Sequence, residues 1–125
     1  MKYVLKNPPD DERDRELWMQ HGAGFIVFKD MRNYAIDRIP ADVDPTTRSL
    51  IIKGINDTVY GLMMIMDGVS GSLQNEDYSL RIQNKIILQR KDDIVQEIDT
   101  VDGDGMCMGF HDWIDGDFGE DDICE

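Results

Sequence analysis

Apolar residues recur at steps of three and four between Asp44 and Gly68, where Ile52, Ile55, Val59, Leu62 and Met66 share one face and Arg48, Lys53, Asn56 and Asp57 occupy the other. That period belongs to an amphipathic α-helix. Asp44 suits its N-cap, Pro45 its first helical position, and Gly68 its end. From Gly61 to Met66 the chain is apolar on every side, which predicts burial all round at that end. Gly54 and Gly61 lie seven apart on one face, and each costs about 1 kcal/mol in a helix relative to alanine. Their spacing predicts close approach of another backbone.

Two more helices are predicted before it. Lys2 to Leu5 reads as a short strand ended by Pro8 and Pro9. Asp10 then suits an N-cap, with Asp11 and Glu12 in the first turn, where the helix dipole favours negative charge. This helix should run to His21 and stop at Gly22, with Leu17 and Trp18 buried and His21 a helix-end residue. From Phe25 to Ile39 a second helix is expected. Phe28, Met31, Ala35 and Ile39 form its apolar face, Lys29, Asp30, Asn33 and Asp37 its polar one, and Pro40 ends it.

After Gly68 the period changes. Residues 69–77 read as a polar Gly/Ser loop, and Tyr78 to Ile82 alternates with period two, as a half-buried strand does. Ile86 to Leu88, after an Asn84-Lys85 turn, and Ile94 to Ile98 are the next strands. Met106 to Ile114 reads as a short helix between Asp/Gly-rich stretches. The expected fold is therefore α+β: three N-terminal helices packed on a small antiparallel sheet, then an acidic C-terminal segment with a short helix. A chain of 125 residues suits one domain, residues 1–125, with 115–125 as an acidic tail.

Charge sharpens this picture. Residues 1–90 carry 13 acidic and 12 basic side chains, whereas residues 91–125 carry 13 acidic side chains against Lys91 alone. Almost all of the net charge of −13 thus lies in the last 35 residues. Such a block repels phosphate backbones and anionic lipid, so no nucleic-acid or membrane partner is expected, and it attracts cations or a basic protein. A solvated, solubility-giving tail is the plainer reading of the same composition. No apolar run is long enough to span a membrane, and the N-terminal apolar run is too short for a secretory signal. Cys107 and Cys124 could form one disulfide, but two reduced thiols in the cytoplasm is the favoured expectation.

The candidate chemistry also gathers near the C-terminus. Asp102-Gly103-Asp104-Gly105, His111-Asp112 and Asp115-Gly116-Asp117 offer oxygen ligands on a bendable backbone, as a hard divalent cation needs. Asp102, Asp104 and His111 are the candidate ligands. The spacing does not fit an EF-hand, since placing Gly105 at its glycine puts Thr100 first and His111 at the bidentate position. Acidic turns at element ends are the alternative. Cys107 and His111, four apart, could share a helix face as zinc ligands with Cys124 as a third, but no CxxC or HxxxH pair accompanies them. Ser70 in Gly68-Val69-Ser70-Gly71-Ser72 fails the G-x-S-x-G pattern at position 72 and follows a helix, and no lysine follows these glycines to hold phosphate. Met63, Met64, Met66, Met106 and Met108 read as core filler.

Phe110, Trp113 and Phe118 sit among Asp112, Asp115 and Asp117. These six form the candidate binding set, with the aromatics either anchoring an interface with a negative rim or tying the acidic segment to the domain's own core. The stretch from Asp57 through Tyr60-Gly61-Leu62 to Met66-Asp67-Gly68-Val69-Ser70 resembles one in small uncharacterised acidic bacterial proteins. That resemblance implies a bacterial or phage origin and brings no known activity or catalytic residue with it. The expected function is a non-enzymatic protein-binding module without a cofactor, an immunity- or antitoxin-like inhibitor of a basic partner by analogy of class and charge. The alternative is a metal-dependent enzyme or calcium-binding domain built on residues 102–117.

Overall fold

The computed structural model describes residues 3–102, 105–118 and 123–124. Asp11, one residue later than expected, caps the first helix by accepting the Asp14 N–H at 3.0 Å. Helix α1 (Glu12–Ile26) does not stop at Gly22. It continues through a π-helical turn (Val27–Met31) into α2 (Arg32–Ile36), so the two helices expected here are one. The reason lies across the fold. A side chain on Gly24 would overlap the Met106 carbonyl, and the packing made at that bare stretch of backbone outweighs the poor helix propensity of Gly22 and Gly24. His21 is accordingly mid-helix and half-buried, and Leu17 is exposed while Trp18 is buried. From the π turn to Ile39 the anticipated apolar face holds, with Phe28 buried and Met31, Ala35 and Ile39 half-buried opposite exposed Asp30, Asn33 and Asp37, whereas Lys29 of the expected polar face is half-buried.

The third helix, α3 (Pro45–Met66), starts where its cap requires. The Asp44 carboxylate accepts the Thr47 N–H and hydroxyl, each at 2.9 Å, and these bonds hold its pKa below the ordinary value. Its fully buried positions are Val59 and Met63, with Ile55 and Tyr60 packed beside them. Ile52, Leu62 and Met66 are half-buried, so the Gly61–Met66 end is not enclosed on every side. Open space surrounds both Gly54 and Gly61, and no backbone approaches them. The close packing falls instead at Gly24 and Gly109.

In place of one sheet the described residues form three antiparallel pairs. The hairpin of β4 (Lys85–Arg90) and β5 (Asp93–Asp99) is the longest, turning at Lys91 with φ +55°. Arg15 Nε donates to Gln96 Oε1 at 2.6 Å, which fastens this hairpin to α1. Thr100 fastens its other end: its N–H donates to the Asn84 carbonyl at 3.0 Å and its hydroxyl to the Met66 carbonyl. A second hairpin pairs β2 (Ser72–Gln74) with β3 (Ser79–Arg81), so a strand lies inside the expected loop. The third pair joins β1 (Val4–Leu5) to β6 (Ile123–Cys124), bringing the two ends of the chain together.

The fold is thus α+β, with two long N-terminal helices, not three. Its core is Phe25, Phe28, Val59, Met63, Phe110 and Trp113, drawn from the long helix, α3 and the C-terminal segment. No helix among the described residues is long and apolar enough to cross a membrane.

Candidate functional site

The acidic C-terminal segment is built from a 3-10 turn (Met106–Gly109) that runs directly into α4 (Phe110–Ile114). Its start is fixed by side chains from the two long helices. The Asp67 carboxylate accepts the Met106 N–H at 2.8 Å through Oδ1 and the Cys107 N–H at 3.2 Å through Oδ2. Buried Gln20 accepts the Gly105 N–H at 2.8 Å through Oε1. Asp67 therefore caps a helical segment some 40 residues away, its negative charge meeting unpaired N–H groups.

Two aromatic rings then bolt the segment down. Trp113, 2% exposed, packs against His21, Phe25 and Phe28 with ring centroids 5.1, 6.1 and 5.6 Å away. Phe110, 3% exposed, meets Phe28 edge-on at 5.7 Å and Tyr60 at 5.0 Å. Burying such rings is worth roughly 1.5–3 kcal/mol each. The indole Nε1 is buried with no hydrogen-bond partner among the described residues, a cost that good packing must offset. Phe118 is half-buried against Tyr3 and Phe25, and Lys29 Nζ lies 4.4 Å from its ring centre.

Of the six candidate binding residues, then, Phe110 and Trp113 face inward, the second of the two roles open to them. Neither ring offers itself to a partner in this conformation. Asp112, Asp115 and Asp117 are exposed. The Asp112 carbonyl accepts the N–H groups of Asp115 at 3.1 Å and Asp117 at 2.9 Å, and Gly116 takes φ +85°, so a tight turn gathers the three. Asp115 and Asp117 follow the C-terminal end of α4, where the helix dipole disfavours negative charge.

The candidate metal ligands lie only partly within the described residues. Asp102 ends a 3-10 turn (Thr100–Asp102), Asp104 lies outside the described residues, and His111 is exposed with its ring 5.6 Å from those of Tyr60 and Phe110. Among the described residues no three of His, Cys, Asp and Glu form a group able to hold a metal ion. Cys107 is a free, half-buried thiol whose pKa is pushed up, chiefly by burial and further by the Asp67 carboxylate.

Sequence reasoning missed Asp67, Gln20 and Gly24, which position the segment. No local pattern marks them, because each acts on residues far along the chain. An apolar cleft of about 270 Å³ between α1, β1 and β4, lined by Leu5, Trp18, Met19, Ile26, Ile86 and Leu88 among others, was equally hidden. What fold and site define is an α+β domain presenting a tethered acidic turn. No family model, curated protein or solved structure matches the chain.

Proposed function

We propose that this protein is a non-enzymatic, acidic protein-binding module that acts in the bacterial cytoplasm and receives a basic protein partner, in the manner of an immunity or antitoxin protein. One observation carries the reading: Asp112, Asp115 and Asp117 are exposed on a turn whose own backing, Phe110 and Trp113, is locked in the core. Charges held on a rigid support keep their geometry, so a partner's cations meet them with little ordering cost. The surrounding excess of negative charge in residues 91–125 steers such a partner inward. Neither nucleic acid nor membrane fits that field.

The test is capture of a small basic protein encoded beside this one. Replacing Asp112, Asp115 and Asp117 together with asparagine should slow association and flatten its salt dependence, with the fold intact. Unchanged association kinetics would remove the turn from the interface. The metal reading is tested separately by thermal melts with calcium or zinc. A saturable, metal-selective rise in melting temperature that Asp104→Asn abolishes would favour it.

A further inference from the structure

Residues 70–82 are exposed without exception, so the β2–β3 hairpin projects from the domain. In its register Leu73 stands opposite Leu80, while Ser72 faces Arg81 and Gln74 faces Ser79. Cross-strand partners point to the same side of a hairpin, so the two leucines share one face and the polar pairs the other. Tyr78 and Ile82, two residues to either side of Leu80, extend the apolar row, and Leu73, Tyr78 and Leu80 are 71%, 77% and 68% exposed. A lone two-stranded hairpin is marginally stable in water, and this one has an apolar face with no cover from its own domain.

The charges on the hairpin say what fits there. From Ser72 to Arg81 it carries Glu76 and Asp77 at the tip and Arg81 at the root, for a net charge of −1. On a chain of net charge −13 a nearly balanced hairpin lets two copies approach with little repulsion. Its charge is also self-complementary. A twofold axis across the strands lays the acidic tip of one hairpin over the basic root of another and sets leucine face on leucine face.

We propose that a second copy of this chain covers the face in that arrangement, giving a symmetric dimer whose two hairpins form a small two-layer sandwich with both leucine pairs inside. The interface uses none of Asp112, Asp115 and Asp117.

Sedimentation equilibrium on the whole chain, from micromolar to millimolar concentration, should show a reversible monomer–dimer equilibrium. Leu73→Thr with Leu80→Thr keeps strand-forming residues and removes the apolar face. That variant should be monomeric with an unchanged melting temperature. Glu76→Lys with Asp77→Lys should weaken dimerisation about tenfold or more by setting like charges together, and adding Arg81→Glu should restore it. A chain monomeric throughout the range, or a dimer indifferent to the leucine and tip variants, overturns the proposal. So does a dimer lost on exchanging Asp112, Asp115 and Asp117 for asparagine but kept in the leucine variant, which would place the contact on the acidic turn.

Discussion

Gly24 meets Met106 backbone to backbone, so closely that a methyl group on Gly24 would overlap the Met106 carbonyl oxygen. The same methyl would come within 2.8 Å of the Trp113 ring. This contact decides why α1 runs on through a glycine-rich stretch and where the C-terminal segment docks.

Glycine-to-alanine exchange should therefore have opposite signs at different helical positions. At Gly24 the clash should destabilise the fold by about 1–3 kcal/mol, despite the better helix propensity of alanine. At Gly54 and Gly61, where open space surrounds the backbone, alanine should stabilise by up to about 1 kcal/mol each. Urea denaturation of the three variants measures this directly. A Gly24→Ala protein as stable as the parent would mean that the segment docks elsewhere.

Core truncations should rank by burial and not by the heptad-like pattern of α3. Met63 is fully buried and Leu62 half-buried. Met63→Ala should cost roughly 2–5 kcal/mol, and Leu62→Ala clearly less, because water already reaches part of that side chain. Equal losses at the two positions would contradict the rotation of α3 in the fold.

What could be read from the sequence follows from the range of the forces involved. The start of α3 was legible because Asp44, Pro45 and Thr47 are neighbours that act on one another. The face Phe28, Met31, Ala35 was legible for the same reason. The continuity of α1 was not, since Gly22 looks like a stop unless Met106 and Trp113 are known to lie against Gly24. Leu73 was missed as a strand residue because Ser72-Leu73-Gln74 is only three residues long, its alternation masked by Gly71, Asn75 and the acidic pair beyond. At the candidate site the carboxylates could be read but the direction of Phe110 and Trp113 could not. An aromatic between aspartates has the same composition whether it faces a partner or its own core.

The thiol of Cys107 supplies a pH test. Burial first, and the Asp67 carboxylate second, raise its pKa above the ordinary 9.0, so at neutral pH it stays protonated and should alkylate slowly. Asp67→Asn removes the negative neighbour and should shift the pH profile of alkylation downward. The same shift has a consequence for stability. Below the unfolded-state pKa both states carry the proton and the fold keeps its full stability. As pH rises past that value the unfolded thiol ionises first, so stability falls until the folded pKa is passed. Relative to Cys107→Ala, the native chain should lose urea resistance above about pH 9. Parallel pH profiles for the two proteins would show that the thiol feels no such surroundings.

Trp113 separates the support of the acidic turn from its charge. The indole is 2% exposed and touches three rings of α1 and the turn that follows it, so Trp113→Ala should cost about 3–5 kcal/mol and lower the melting temperature sharply. The carboxylates of Asp112, Asp115 and Asp117 are exposed, and exchange of all three for asparagine should leave the melt within a few degrees of the parent. Binding should respond the other way. The asparagine variant should lose association rate while still folded. The alanine variant, where it remains folded at low temperature, should show a loosened turn and a partner affinity lowered by the cost of ordering it. Amide exchange at residues 106–118 reads that loosening independently of any partner. If the amides of α4 stay as protected in Trp113→Ala as in the parent, the ring does not hold the turn, and the rigid backing on which the binding surface depends is absent.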